Sequence, residues 1–174
     1  GRDEKKFVLA DSRERIDQFR NVCVKPNRQE LKRCSLHLAE IATICRSQSL
    51  KRIPEPLHDL VPAVMALANL TGKQVFTTDG PNGVLVYDPL LQKSASVDSL
   101  DNIEAIEVTG PIDTCGAGDS FSAGLTAAMA TGANPGNAVR FANLVASITI
   151  QQIGTTGTAT PAQVSQRWRE NFEK

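Results

Sequence analysis

The stretch IDTCGAGDSFSAGLTAA, residues 112–128, combines small residues and a carboxylate in an order that can do chemistry. Gly116, Ala117 and Gly118 stand directly before a helix-forming run that opens on Asp119. Small side chains let three successive backbone N–H groups point at one spot, and a helix N-terminus adds about half a positive charge there. Together they make an anion site. Such a site either holds a resting phosphate or stabilises charge that develops during reaction, and Asp119 separates the two. A carboxylate inside a plain phosphate cradle repels its ligand, by about 1 kcal/mol for unit charges about 4 Å apart in bulk water and by several times more in a partly buried site. Asp119 makes sense if it accepts a proton from a hydroxyl that attacks a phosphoryl group. An aspartate at a helix start is a weak base. It serves if the hydroxyl proton leaves late, once bond formation has made it acidic. The plainer alternative for the segment is a helix cap with close packing.

Rival glycine motifs fail on their own chemistry. Gly116-Ala117-Gly118-Asp119-Ser120-Phe121 has Phe121 where a dinucleotide-binding loop needs its third glycine, and Arg140 rather than an acid lies about twenty residues on. Gly72-Lys73-Gln74 lacks the Ser/Thr and the upstream glycine of a P-loop. Gly118 to Ser122 misses the last glycine of a serine-hydrolase elbow.

The elements that must position this loop alternate in type. FVLAD at 7–11 and VCVKP at 22–26 read as short buried strands, the second closed by Pro26. Asn27 caps a helix predicted to run to about Arg46, with Leu31, Leu38, Ile41 and Cys45 at helical spacing. Leu57 to Leu70 is a second helix, kinked by Pro62 and ended at Gly72. QVFTTD and GVLVYD flank a GPNG turn as a hairpin, and IEAIEV at 103–108 alternates as a half-exposed strand does. Helices follow from Asp119 to about Thr131, from Asn134–Pro135 through Ile148, and from Thr160–Pro161 onward. The alternation predicts an α/β layer fold with a mainly parallel sheet.

Composition narrows the class. The 174 residues fit one domain or half of a larger one. With 41% hydrophobic and 22% charged residues, wholesale disorder is excluded. Nineteen basic and nineteen acidic residues give zero net charge, which argues against a dedicated nucleic-acid binder. Residues 1–53 carry 13 basic and 7 acidic side chains and the remainder 6 and 12, read as solvated faces. No apolar run approaches the roughly 18 residues of a bilayer span. GRDEKKFVLADS is not a signal peptide, so no membrane partner and a cytoplasmic location are expected. The four cysteines form no CxxC pair and are expected as buried free thiols, with Cys34 and Cys45 on one helix face. His37 and His58 have no ligand partners nearby in sequence. The chain opens on Gly1 rather than Met and enters a strand almost at once, so it is expected to be cut or processed.

DTCGAGDSFSAG resembles the C-terminal signature of the ribokinase/PfkB carbohydrate kinase family, a pattern close to DTxGAGDxF. Asp113, Thr114, Gly116, Ala117, Gly118, Asp119 and Phe121 fill all its fixed positions. KPNRQEL at 25–31 is similar to the family's PNxxE segment, TTDGPNGV at 77–84 to its TxGxxG strand–turn, and RFANLVASITIQQIGTTGTATP to its closing segment. VLADSRER, VKPNRQEL and QIGTTGTATP look closest to heptose-type sugar kinases.

The resemblance implies a ribokinase-like three-layer α/β sandwich, of which residues 1–174 are the C-terminal, nucleotide-side portion. It implies transfer of the γ-phosphoryl of ATP to a sugar or sugar-phosphate hydroxyl. Asp119 would be the general base, and the N–H groups of Gly116, Ala117 and Gly118 the anion hole. Asn27 and Glu30 would lie near the phosphates and their magnesium; from their residue types alone they are a helix cap and a solvated charge. Thr78, Gly80 and Gly83 would lie at the nucleotide, the glycines being otherwise turn formers. Asn143 would neighbour the adenine, or else face water. Many relatives hold a monovalent cation, often potassium, on carbonyls matching Asp113, Cys115, Gly154 and Thr158. Cys115 stands where Thr is frequent, which puts a thiol beside a positive helix end, a setting that favours thiolate.

The family's N-terminal sugar-binding part and lid sheet have no counterpart in this sequence. The isolated chain is therefore expected to be poorly active, because positioning and closure supply much of the barrier reduction. An open sheet edge invites association, with a second copy or with the missing half. The alternative is a nucleotide-binding or assembly module that has lost catalysis. The retained Asp119 favours the kinase, since a mere binder gains affinity by losing that charge.

Overall fold

Short apolar runs, each closed by a turn residue, build a five-stranded sheet in the computed structural model, which describes residues 6–34, 53–89 and 99–173. The strands are β1 (Leu9–Ala10), β2 (Cys23–Val24), β3 (Val75–Thr78), β4 (Val84–Tyr87) and β5 (Leu100–Ile103), and they neighbour one another in chain order. β1 and β2 pair in parallel through Leu9↔Cys23, and β2 and β3 through Val24↔Val75. β3 and β4 form the expected hairpin, antiparallel from Val75↔Tyr87 to Thr78↔Val84. β5 runs antiparallel to β4. The α/β reading holds, and the sheet is mixed, with two parallel and two antiparallel pairs.

The chain divides into two compact units, residues 1–104 and 105–174. The first holds the sheet with helices α1 (Arg28–Arg33) and α2 (Val61–Thr71). Its core joins Val24, Leu31, Leu57, Leu60, Leu67, Val75, Leu85 and Tyr87. All four residues of β4 are buried, which fits its unbroken apolar run. α2 ends as predicted at Gly72, which takes the left-handed conformation (φ 69°) and donates its N–H to the Ala68 carbonyl.

The second unit holds α3 (Ala117–Ala130), α4 (Pro135–Thr149) and α5 (Pro161–Phe172). Phe121, Leu125, Val139, Ala142 and Leu144 are buried there. Small residues on α3 let its backbone approach α4: a Cβ on Gly124 would lie 3.1 Å from the Ala142 Cα. Asn134 caps α4 by accepting the Asn137 N–H, and Thr160 shares a reciprocal capping box with Gln163.

Several expectations are corrected. The helix capped by Asn27 does not reach Arg46. It ends at Arg33, where Cys34 turns extended (ψ 128°), and residues 35–46, with Cys45 and His37, lie outside the described residues. Pro62 does not kink its helix. A 3-10 stretch, Glu55–Leu60, precedes it, and Pro62 lies in the first turn of α2, where its missing N–H costs nothing. IEAIEV is not a strand beyond Ile103. β4 begins at Val84, whose partner is Ile103, so residue 104 has no ladder left to join. α3 starts at Ala117, two residues earlier than expected, which places Asp119 within its first turn. Cys23 is buried, but Cys34 is only half-buried and Cys115 is exposed; all three are free thiols. Among the described residues, no helix is long and apolar enough to cross a membrane.

Candidate active site

The 112–119 loop of the second unit is built on Asp113. Its Oδ1 accepts the Cys115 N–H at 2.9 Å and its Oδ2 accepts the Gly154 N–H at 2.9 Å. Its own N–H donates to the Ile150 carbonyl at 2.7 Å. One side chain thus folds the loop on itself and ties it to the segment after α4. These two donated N–H groups hold the Asp113 carboxyl below its ordinary range, the Cys115 bond contributing most.

Gly116 follows as the N-cap of α3, left-handed at φ 76°. A Cβ there would meet the Thr156 Cγ2 at 2.8 Å, so position 116 favours glycine on conformation and on space. The Ala117 N–H donates to the Thr114 carbonyl at 3.1 Å. Ala117 therefore closes a turn and does not offer its N–H as freely as an anion hole of three successive N–H groups requires. Among the described residues, the N–H groups of Gly118 and Asp119 have no partner. They are the orphan donors that a helix start presents to an acceptor. Asp119 itself is exposed, and no described lysine or arginine pairs with it.

The closing segment is held from the side by Gln152. Its amide nitrogen donates to the Thr158 carbonyl at 2.6 Å and its amide oxygen accepts the Thr158 N–H at 3.1 Å. The Thr158 carbonyl therefore already has a partner, while the carbonyls of Asp113, Cys115 and Gly154 have none among the described residues. Gly154 is left-handed at φ 73°. Asn143 is buried on α4 and does not face water. Gln152 was not singled out from the sequence; a polar side chain just past a helix end gives no local signal of the pairing it makes.

In the first unit, Asn27 and Glu30 share a capping box. The Glu30 N–H donates to Asn27 Oδ1 at 2.9 Å, and the Asn27 N–H donates to Glu30 Oε2 at 2.8 Å. Glu30 is buried rather than a solvated charge, and its Oε1 has no partner among the described residues. Asn27 also bridges Thr78 across the parallel edge of the sheet, and the Thr78 N–H donates to the Pro26 carbonyl at 3.1 Å. The turn after Thr78 is a short 3-10 stretch, Gly80–Asn82, between two glycines of positive φ, 54° at Gly80 and 89° at Gly83. Thr78 thus lies against the Asn27 end of α1, and Gly80 and Gly83 follow in the turn beyond it. Arg28, Asp79 and Asp59 were missed in the sequence. The Arg28 guanidinium holds the Asp79 carboxyl below its ordinary range, and the two carboxylates raise the guanidinium in turn. The available signal was an arginine and an aspartate, each inside a motif, 51 residues apart.

The family model for the pfkB family of carbohydrate kinases matches residues 11–163. The chain belongs to the PfkB family. Its fold is that of the ribokinases. The structure of Arabidopsis thaliana ribokinase complexed with ribose and ATP is similar with a TM-score of 0.67 and 23% identity, over 92% of this chain and 47% of that one. Phosphofructokinase-2 from Escherichia coli in complex with potassium gives 0.66 and 21%, over 94% and 47%. The nucleoside kinase of Methanocaldococcus jannaschii gives 0.62 and 18%, over 95% and 48%. The chain thus spans about half the length of these PfkB-type structures.

Proposed function

We propose that this PfkB chain is the nucleotide-side portion of a kinase that moves the γ-phosphoryl of ATP to a sugar or sugar-phosphate hydroxyl. The observation that carries the reading is the exposed carboxylate of Asp119 beside the N–H groups of Gly118 and Asp119, all without a partner among the described residues. Donors aimed at developing negative charge, with a base alongside, are what the transfer of a phosphoryl group to an alcohol requires. Asp119 accepts the hydroxyl proton as the new O–P bond forms. The N–H group of Gly118, with that of Gly116 or Asp119, stabilises the equatorial oxygens, and Ala117 shapes the turn. Thr78, Gly80 and Gly83 bind the nucleotide, and Asn143 lies on the adenine side.

A magnesium ion would supply positive charge to offset that of the phosphates. Glu30 would hold it, because Oε1 has no partner among the described residues while Oε2 is spent on the cap, and a carboxylate oxygen is the hard donor that such a cation takes, directly or through water. Asn27 orients that carboxylate. A monovalent cation such as potassium fits the carbonyls of Asp113, Cys115 and Gly154, which have no partner among the described residues; Thr158 is the weakest of the four expected donors, because Gln152 already uses its carbonyl. The acceptor-binding residues are assigned to the half of the PfkB structures that this chain does not span, and a cytoplasmic location goes with the ATP requirement.

The test is ADP release by the intact protein with ATP, magnesium and a panel of pentoses, hexoses, heptoses, their phosphates and nucleosides. Turnover with one acceptor class supports the reading. Nucleotide binding without turnover of any acceptor overturns it in favour of a binding or assembly module.

A further inference from the structure

We infer that Arg28 is a positioning residue whose guanidinium clamps the Asp79–Gly83 turn to the start of α1 and neutralises an acid that would otherwise face the nucleotide phosphates. The inference rests on the nucleotide reading of Gly80 and Gly83 above. By its place, directly after Asn27, Arg28 looks like a phosphate ligand. Its bonds say otherwise. Nε donates to Asp79 Oδ1 at 2.7 Å and Nη2 to Asp79 Oδ2 at 2.7 Å, a two-pronged match of fork to carboxylate. Nη1 donates to both Asp59 oxygens, at 2.9 and 3.0 Å, and Nη2 also reaches the Pro56 carbonyl. Every nitrogen of the fork is engaged, so none is left for a ligand.

The clamp reinforces a backbone junction. Pro26 and Thr78 are already joined by a hydrogen bond, and Asn27 and Thr78 by a bridge. Arg28 and Asp79 add the next rung, between side chains that are 25% and 10% exposed. Beyond it the turn closes on Asp79: its N–H donates to the Gly83 carbonyl, its carbonyl accepts the Asn82 N–H, and its Oδ2 accepts Asn82 Nδ2 at 2.8 Å. Asp79 therefore anchors Asn82 and Gly83, and Arg28 anchors Asp79. Lys32 pairs with the outer carboxylate, Asp59, at 2.8 Å, so the network carries two cations and two anions. An aspartate in a phosphate-facing turn is tolerable on these terms because its charge is cancelled in place.

The test is calorimetric titration of the full chain with magnesium and a non-hydrolysable ATP analogue. Wild type, Arg28→Ala, Asp79→Asn and the double variant are compared, each with its thermal midpoint. With wild type binding, the clamp predicts about a tenfold or greater loss of affinity in Arg28→Ala, where Asp79 is unmasked. Asp79→Asn, which weakens the clamp but leaves no charge to unmask, loses less than Arg28→Ala, and adding it to Arg28→Ala brings affinity back to the Asp79→Asn level. That rescue is the decisive reading, since a purely structural role would move the midpoint and not the affinity. Equal affinity in Arg28→Ala, or a loss that Asp79→Asn does not relieve, overturns the inference; the second result would make Arg28 a direct ligand. No binding by wild type removes the nucleotide reading and the clamp's role with it. If Arg28→Ala fails to fold, Arg28→Lys keeps the charge without the fork. Weakened binding there supports the clamp, and wild-type binding overturns it.

Discussion

Replacing Asp119 with asparagine separates what the side chain does in the fold from what it does in the reaction. The fold has little stake in it. Asp119 is exposed and makes no ion pair with a described residue. What it supplies to α3 is a negative charge in the first turn, worth about 0.3–1 kcal/mol against the helix dipole. Asparagine keeps the shape and part of that interaction, so the stability change stays within about 1 kcal/mol. Nucleotide affinity should hold or rise slightly, because a charge that repels phosphate has gone. A general base, by contrast, contributes about 10²–10⁴ in rate, or roughly 3–5 kcal/mol of barrier. The chemical effect exceeds the structural one several-fold, and the two fall in different assays. Calorimetric binding of the ATP analogue and a thermal melt should be nearly unchanged, while acceptor-dependent ADP release by the intact protein drops at least about a hundredfold. Turnover of Asp119→Asn within about tenfold of wild type would show that the base lies elsewhere, because tenfold is less than proton transfer to a positioned carboxylate contributes.

Three further outcomes are expected. Iodoacetamide should modify Cys115 before Cys23 and Cys34: Cys115 is exposed, burial raises the Cys23 thiol, and burial pushes the Cys34 thiol up to about 11. Mass-spectrometric mapping that finds Cys115 modified last of the three would refute this. Gly116→Ala forces a left-handed alanine, costing about 1–2 kcal/mol, and drives its Cβ against Thr156, so denaturant melts should shift and turnover of the intact protein should fall more than nucleotide affinity does. Asp113 has a depressed carboxyl, so its contribution is present above the ordinary value of 3.8 and fades as pH falls through the folded-state value. The stability gap between wild type and Asp113→Asn in urea melts should therefore be widest near neutrality and shrink below pH 3.8; a gap that does not change with pH would contradict the hydrogen-bonding assigned to Asp113.

The elements that the sequence made legible are those set by local chemistry. Asn134–Pro135, Thr160–Pro161 and Gly72 act within one helical turn of themselves, and all three mark helix ends where expected. Asn27 was readable as a cap for the same reason. What failed depends on distant partners. Helical spacing continues past Arg33, but periodicity states only which face would be apolar, not whether the backbone at Cys34 stays helical. The alternation of 103–108 looks like a strand, yet a strand needs a neighbour, and β4 has no residue left to pair beyond Val84. In the candidate site, Gly116 to Asp119 could be read because glycines and a carboxylate before a helix have direct chemical meaning. The Arg28–Asp79 pair could not, since two charges 51 residues apart in sequence give no sign of meeting.

The two sets of motif residues are held by different forces, and that difference has consequences. In the first unit the glycine turn is fixed by ionised side chains, Arg28, Asp79 and Asp59, partly screened from water. In the second the Asp113–Asp119 loop is fixed by backbone N–H groups on a carboxylate and by a glycine with no room for a side chain. Salt weakens the first kind of contact where it is exposed, as at Asp59, and leaves neutral donors and steric fit almost untouched. Substitution acts in the opposite sense: a methyl group at Gly116 is enough to disturb the second loop, whereas the first tolerates a side chain at Gly80, where a Cβ meets nothing within 4 Å, apart from the strain of positive φ. On the proposed reading the first is a phosphate-binding turn and the second carries the base, and the two have different needs. The turn must place charge near charge, which ion pairs offset. The loop must hold a reacting group to within a fraction of an ångström, which is better served by packing than by long charged side chains.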